Sequence, residues 1–284
     1  MKDAKDYERK FKKLLAQVPA AGKAKDAVGE DPLRVLIESV LQADASDKRA
    51  AAAMAIIEEE FVDFNELRAA PVKDIVDCIG RDLPNVRAKA EILVTTLNGV
   101  FTKQSQLSLE YLEKLTKKDL RRHLGELGLD AYSAARLTLL CFAGHAVPVD
   151  SSLAEVMSMN DLAAPNATAD DVQKFLERVV PQKADLAVHK FLRSFVEKNA
   201  KALEKKRHEE ALVRAAAQAK AKALAGAKAA ADAQAAAAKA AAAQARQDKA
   251  DAKAAAQAAK AKAAAKAAAK ASAKRSSGAK RKKK

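Results

Sequence analysis

The chain has 284 residues and a formal net charge of +15, with 52 basic and 37 acidic side chains. The excess charge lies at one end, because residues 1–200 contain 29 basic and 31 acidic side chains and residues 201–284 contain 23 and 6. The length suits one domain of roughly 200 residues with an appendage. No run of about 18 apolar residues occurs and the N-terminus lacks an apolar signal core, so we expect an intracellular protein with no membrane segment.

The first 29 residues separate from the rest by composition. Residues 3–17 place Tyr7 and Phe11 on one side of a helical wheel and lysines on the other, which is typical of an amphipathic helix. Proline and glycine are frequent over residues 18–31, which indicates a linker. The sequence therefore predicts an N-terminal amphipathic helix and linker over residues 1–29.

Residues 30–200 show helical periodicity and form the predicted globular domain. Asp31 and Pro32 combine a cap with a first-turn proline, the pattern that begins a helix. In the helix predicted over residues 48–61, the spacing places Ala52, Ile56 and Ile57 inward. Further helices are predicted over residues 33–41, 64–69, 72–78, 85–100, 131–143, 153–157, 168–179 and 186–195. The predicted fold class is all-α.

The stretch that ends at Asp150 holds the features on which a functional interpretation depends. Gly128 tolerates positive φ in a tight turn, and Asp130 is a good N-cap for the helix predicted over residues 131–143. The pattern predicts a helix, a tight hairpin, a second helix and a loop that ends in one carboxylate. Asp150 also has a purely structural interpretation, as the N-cap of the helix that begins at Leu153.

These residues carry a resemblance to a known family. Residues 128–134 (GLDAYSA), followed by PVD at residues 148–150, resemble the helix-hairpin-helix and catalytic-aspartate segment of endonuclease III-like DNA glycosylases. Residues 32–47 are similar to an early helix of that family, which ordinarily ends in SAQATD. The order and spacing of both segments agree, so the resemblance covers residues 30–200. It implies a two-lobed helical bundle with a helix-hairpin-helix motif.

The resemblance implies roles for individual residues. Asp150 would be the catalytic carboxylate, and Tyr132 would line the pocket for an extruded base. Asp44 stands where the family commonly has a glutamine that fills the gap left by that base. Leu83 stands at the turn that inserts an apolar wedge into the duplex, although an ordinary loop leucine would look the same. The hairpin residues expected to approach the DNA backbone are Leu127, Gly128 and Asp130.

Several residues depart from the family pattern. Tyr132 replaces the lysine that forms a Schiff base in bifunctional members, and a phenol cannot form an imine. Asp130 replaces the second hairpin glycine, which predicts weaker phosphate binding there, and Ser152 replaces the histidine after the catalytic aspartate. Cys78 and Cys141 are the only cysteines, so the four-cysteine iron–sulfur motif of many members is missing and we expect no cofactor and no metal.

A basic cluster precedes the hairpin and consists of Lys117, Lys118, Arg121 and Arg122. A helix that carries these side chains beside a phosphate-binding turn suits the backbone of DNA. A solvated helix face would give the same pattern, so the sequence leaves both interpretations open.

The last 84 residues consist mainly of alanine and lysine. Both residues favour helices, but large apolar side chains are nearly absent after Leu224, so residues 201–284 are predicted to form a long helix or a disordered tail. The composition resembles the tails of linker histones. Lysines that neutralise phosphates release condensed counterions, which indicates a nucleic-acid partner. Further DNA contacts are expected at the terminal cluster of Lys280, Arg281, Lys282, Lys283 and Lys284.

Two functions from different classes fit these observations. The first is a monofunctional DNA glycosylase of base-excision repair that uses Asp150 and has no lyase step. The second is a catalytically inactive, nucleoid-associated protein with the glycosylase fold, held on DNA by its basic tail. Both predict double-stranded DNA as the partner and a monomeric protein. Both also predict a cytoplasmic, nucleoid-associated location, or a nuclear one in a eukaryote.

Overall fold

Helices form the regular structure of the residues that the computed structural model describes, which are 4–18, 31–80 and 82–279. The all-α prediction is confirmed. The helices of these ranges are α1 (Ala4–Leu15), α2 (Pro32–Gln42), α3 (Asp47–Glu60), α4 (Phe64–Ala69), α5 (Val72–Ile79), α6 (Val86–Gln104), α7 (Lys117–Glu126), α8 (Ala131–Cys141), α9 (Ser151–Met159), α10 (Ala169–Val179) and α11 (Asp185–Ala279). Short 3-10 helices, Glu110–Lys114 and Gln182–Ala184, precede α7 and α11.

Side chains at the helix starts explain where several helices begin. Asp31 accepts a hydrogen bond from the Leu33 N–H (3.0 Å), and Pro32 occupies the first turn of α2, as predicted. Thr168 and Asp171 form a reciprocal capping box at the start of α10. These caps satisfy N–H groups that have no partner within their own helix.

The apolar side chains of α2 to α8 share one core, which we call the first lobe. Helix α2 packs against α3, α6 and α8. Its buried apolar residues are Leu33, Val35, Leu36, Ile37, Val40 and Leu41. Because neighbours surround α2, this helix fixes the position of the loop that follows it, residues 43–46.

A separate core lies between α1, α9, α10 and the beginning of α11, and we call this part the second lobe. Phe11 of α1 is fully buried and meets Phe175 of α10 edge to face, with 6.2 Å between the ring centroids. The apolar stripe of the N-terminal helix thus packs against the helices that follow Asp150. The predicted two-lobed arrangement is confirmed.

The inward face of α3 and the end of α8 differ from the prediction. Helix α3 buries Ala50, Ala53, Met54 and Ile57. Ala52 is exposed and Ile56 only half-buried, since four consecutive alanines give no contrast from which to choose the inward face. Helix α8 ends at Cys141 instead of residue 143. It stops there because Ala143 has a φ of +45° and the Gly144 N–H returns to the Thr138 carbonyl (3.1 Å).

The chain divides into two units, and the first ends at Arg207 and contains both lobes. The second unit begins at His208 and is helical through Ala279, with every residue from 208 to 267 exposed. The segment is helical without packing because it is largely alanine and lysine, which both have high helix propensity. Within the described residues, none of the helices is both long and apolar enough to cross a bilayer.

Candidate functional site

The predicted hairpin joins α7 to α8. Gly128 has a φ of +92°, which favours glycine, and a Cβ at this position would lie 3.1 Å from the Thr95 Cγ2 atom, a tighter contact than most Cβ atoms make. Leu127 and Leu129 are both buried beside it. The N–H groups of residues 127, 128 and 129 donate to α7 carbonyls at 3.0, 3.0 and 3.2 Å. These amides are therefore already hydrogen-bonded, and the DNA contacts predicted at Leu127 and Gly128 stay a prediction.

Asp130 directs its carboxylate towards the start of its own helix. The two oxygens accept hydrogen bonds from the Ser133 N–H (3.0 Å) and the Ser133 hydroxyl (2.6 Å). The predicted N-cap is confirmed. Its negative charge lies at the helix N-terminus, the place where a phosphate would otherwise be favoured, so the expectation of weak phosphate affinity at this turn stands.

The basic cluster of α7 borders a surface cavity of about 500 Å³, together with Thr138, Gly144 and His145. Arg121 is paired with Glu177 (2.9 Å) and Arg122 with Asp119 (2.9 Å). Lys117 and Lys118 are exposed. This part of the cluster keeps its charge in contact with solvent, which suits either of the two interpretations left open by the sequence.

Asp150 is buried at the start of α9, with 4% of its surface exposed. Its Oδ1 atom accepts the Leu153 N–H (2.8 Å), which confirms that Asp150 caps this helix. Its Oδ2 atom accepts the Asp44 N–H (3.0 Å) and contacts Nη1 of Arg193 (3.3 Å). A carboxylate has about four acceptor positions, so three donors leave room for one more partner.

Asp44 fastens the loop after α2 to α9. Its Oδ1 atom accepts the Ser152 N–H (2.8 Å), the Ser152 hydroxyl (2.9 Å) and the Ser151 hydroxyl (2.7 Å). The residue has a φ of +57°, and this conformation lets its N–H point at Asp150 while its side chain points at α9. The side chain therefore crosslinks the two lobes, and a role in filling a gap in DNA would require these hydrogen bonds to break.

Arg193 of α11 supplies the positive charge beside Asp150, and its side chain is only 9% exposed. The guanidinium also donates to the Ala45 carbonyl and to Asp47 Oδ1 (2.7 Å from Nη2). One arginine thus connects α11, the loop of residues 43–46, the start of α3 and the start of α9. Arg193 was not among the predicted site residues. A signal was present, because Asp185, His189 and Arg193 follow one another every four residues on a face that is otherwise apolar.

The ionisation of Asp150 depends on opposing influences. Burial and the neighbouring Asp44 carboxylate raise the pKa of Asp150, whereas the Leu153 N–H, Arg193 and the Asp44 N–H act in the opposite direction. Although burial alone would lower it, the pKa of Arg193 lies above its usual value because of Tyr132 and the Asp150 carboxylate. Arg193 and Asp150 therefore form an ionic contact in which the carboxylate is easier to protonate than a carboxylate in water.

A cavity of about 330 Å³ opens beside Asp150, and we call it the carboxylate cavity. The first lobe contributes residues 44–46, Arg49 and Pro84, and α9 contributes Ser152. The remaining wall is α11, with Arg193, Val196, Glu197, Ala200, Leu203, Glu204 and Arg207. The volume falls within the range of about 300–1,000 Å³ found for small-molecule sites. Asp150 therefore lies on the wall of a hollow and faces neither bulk solvent nor a closed core.

Tyr132 does not line this cavity, which corrects the prediction from the resemblance. It is 3% exposed, its hydroxyl donates to Oε1 of Gln42 (2.8 Å), and burial raises its pKa. Its ring lies 6.5 Å from that of His189, and burial lowers the pKa of His189 to about 3. Both residues are buried where α2, α8 and α11 meet.

Leu83 is 3% exposed and belongs to the core of the first lobe. A side chain that inserts between base pairs must project into solvent, so the structure supports the ordinary loop leucine and not the wedge. Lys280, Arg281, Lys282, Lys283 and Lys284 lie outside the described residues.

Lys89 of α6 is a second buried cation that the sequence did not reveal. Its ammonium group donates to the carbonyls of Val40 (2.8 Å), Leu41 (2.9 Å) and Ala43, and so satisfies the C-terminal end of α2. Burial lowers the pKa of Lys89 to about 8. With 4% of its surface exposed, this amine is directed away from solvent.

The described residues contain no group of three or more His, Cys, Asp and Glu side chains placed to hold a metal ion. Neither Cys78 nor Cys141 forms a disulfide, and both have intermediate exposure.

Comparisons with known proteins give a likeness of fold. No protein-family model and no curated protein matches the chain by sequence. Among solved structures, a trapped endonuclease III–DNA covalent intermediate is 18% identical, with a TM-score of 0.50 over 69% of this chain and 86% of that one. The Clostridium acetobutylicum 8-oxoguanine glycosylase/lyase in complex with DNA is also 18% identical, with a TM-score of 0.52 over 70% of this chain and 71% of that one. The globular unit described above therefore shares the all-α fold of these two structures.

Proposed function

We propose that this protein binds double-stranded DNA and acts in base-excision repair as a monofunctional glycosylase, with Asp150 as its catalytic carboxylate. The observation that carries the proposal is the position of Asp150, at the start of α9 and on the wall of the carboxylate cavity. A base that leaves the stack needs a hollow of this kind. A carboxylate beside it can orient a water molecule or stabilise positive charge on the sugar as the base departs.

The chemistry available to the cavity favours hydrolysis over a lyase step. A Schiff base requires a primary amine, and the residues that line the cavity include three arginines but no lysine. Tyr132 is a phenol, and Lys89 is held by three carbonyl groups. The remaining acceptor position of Asp150 can receive a proton from a water molecule. The water oxygen then bonds to the sugar carbon as the glycosidic bond breaks, and the electron pair of that bond leaves with the base.

Arg193 favours a second candidate function, which is DNA binding without catalysis. Its guanidinium lies 3.3 Å from the Asp150 carboxylate and offsets the negative charge that an oxocarbenium-like sugar would need. In this alternative the cavity is a remnant of the fold, and the basic tail holds the protein on DNA as a nucleoid-associated protein. Either function places the protein on chromosomal DNA, in the cytoplasm of a bacterium or in a nucleus, and neither requires more than a monomer.

The experiment that separates the candidates measures base release from duplexes that contain a panel of damaged or mismatched bases. Asp150→Asn is the informative variant, because asparagine is a good N-cap and preserves the start of α9. Asp170→Asn serves as the control, since Asp170 is an exposed residue of α10. Release by the wild type and the control but not by Asp150→Asn supports the glycosylase. If the wild type binds the duplexes but releases a base from none of them, the result supports the non-catalytic protein.

A further inference from the structure

The basic side chains of the second unit are arranged on one side of the helix. An α-helix turns by about 100° per residue, so the angular position of each residue follows from its number. Between residues 220 and 260, seven of the eight basic residues fall within a sector of roughly 100°. We call these seven the cationic stripe: Lys220, Lys228, Lys239, Arg246, Lys249, Lys253 and Lys260.

The remaining charges of this region lie elsewhere on the helix. Lys222 is on the side opposite the stripe, as are Lys262 and Lys266 beyond it. Asp248 and Asp251 also lie away from the stripe, where they accept hydrogen bonds from Gln244 (3.0 Å) and Gln247 (3.3 Å) one turn earlier. Asp232 is at the edge of the stripe. Positive charge is thus concentrated on one face.

The stripe has no structural purpose within its own unit. Residues 208–267 are all exposed, so these side chains do not pack against anything in the described unit. Like charges three and four residues apart on one helix face, such as Arg246, Lys249 and Lys253, destabilise an isolated helix. A one-sided arrangement of cations is therefore unfavourable until an anionic surface compensates it.

We propose that the cationic stripe is a docking surface for the phosphate backbone of double-stranded DNA, which the second unit binds as a helix along one face. The stripe spans about 60 Å, at 1.5 Å per residue, and its last five members fall within about 32 Å, close to one turn of duplex DNA. The opposite face is mainly alanine and offers no large apolar side chain for insertion into a bilayer, so an anionic membrane fits less well. The proposal depends on the proposed function only for its choice of partner.

The test compares two full-length variants of equal net charge. One carries Lys239→Gln, Arg246→Gln and Lys253→Gln on the stripe, and the other carries Lys222→Gln, Lys262→Gln and Lys266→Gln off the stripe. Glutamine has a helix propensity close to that of lysine and arginine, so both variants keep the helix. Affinity for an undamaged duplex of about 30 base pairs is measured between 50 and 200 mM salt, the range over which counterion release is resolved.

For the stripe variant, the slope of log K against log salt should become less negative by about 2.7, which corresponds to three lost phosphate contacts. This variant should also bind the duplex about 30-fold or more weakly than the wild type at 50 mM salt. The off-stripe variant should lose less than about 1 from the slope. Equal losses would overturn the proposal, because the tail would then act as a diffuse polycation. A change in oligomeric state without a change in DNA affinity would also overturn it. Base release does not enter this measurement, so a failed glycosylase assay leaves the result intact.

Discussion

Replacing Arg193 by methionine removes the cation beside Asp150 while keeping a long apolar side chain in its place. Asp150 would then be a carboxylate with 4% exposure that has lost its salt-bridge partner. Removing one partner of a buried ion pair costs about 3–5 kcal/mol. The lost hydrogen bond to the Ala45 carbonyl adds about 1 kcal/mol, whereas the contacts with the half-exposed Asp47 contribute little. We expect Arg193→Met to lower the free energy of unfolding by about 4–6 kcal/mol at neutral pH.

Urea unfolding followed by tyrosine fluorescence measures this loss, because the chain has no tryptophan and its three tyrosines, Tyr7, Tyr111 and Tyr132, all belong to the first unit. In the double variant with Asp150→Asn, both charges of the Arg193–Asp150 pair are absent, so the two substitutions should couple by about 2 kcal/mol or more.

The loss in free energy of unfolding caused by Arg193→Met should also become smaller as the pH falls. Burial raises the pKa of Asp150, so the folded protein takes up a proton before the unfolded chain does, and a neutral carboxyl group needs no counter-ion. A loss below about 1 kcal/mol, or effects of the two substitutions that simply add, would refute the argument that Arg193 compensates Asp150.

Two further predictions concern the hairpin and the loop after α8. Gly128→Ala should lower the stability by about 1–2 kcal/mol because of its φ of +92°, whereas Gly125→Ala, in the last turn of α7 with open space around it, should leave it unchanged or slightly higher. Thermal unfolding of both variants checks this, and equal effects would contradict it. Although burial alone would lower it, the pKa of His145 is raised by hydrogen bonds to the Glu177 carbonyl and the Asp185 carboxylate. The stability difference between wild type and His145→Gln should therefore be largest below about pH 6.5 and decrease as the pH rises through this raised pKa, whereas a constant difference would exclude the charged imidazole.

The sequence was sufficient for the features that depend on local chemistry. Asp31, Asp130 and Asp150 were all predicted to cap helices, and each does so, because a cap needs only a side chain and the N–H groups two or three residues later. The turn at Gly128 follows from the same short-range argument. The apolar stripe of α1 was also evident, although its partner helix could not be chosen from the pattern.

The site itself depends on contacts between distant segments, and these could not be predicted from spacing. Arg193 and Asp150 are separated by 43 residues, and Asp44 and Ser152 by 108. Nothing in the sequence distinguished Lys89, because a single lysine on a helix is ordinarily solvated. It caps the C-terminal end of α2 only because that end packs against it in the fold. Tyr132 was assigned to the pocket by position in a motif, whereas its hydrogen bond to Gln42 holds it inside the bundle.

The loop of residues 43–46 is held from two sides, since Lys89 binds the Ala43 carbonyl from within the first lobe and Arg193 binds the Ala45 carbonyl from the second. This segment contributes to the wall of the carboxylate cavity. A molecule that enters the cavity consequently meets a rigid, ready-formed boundary, and little ordering entropy is lost there on association. Differences in affinity among ligands for this hollow should therefore arise from their own shape and charge, with little contribution from rearrangement of the loop.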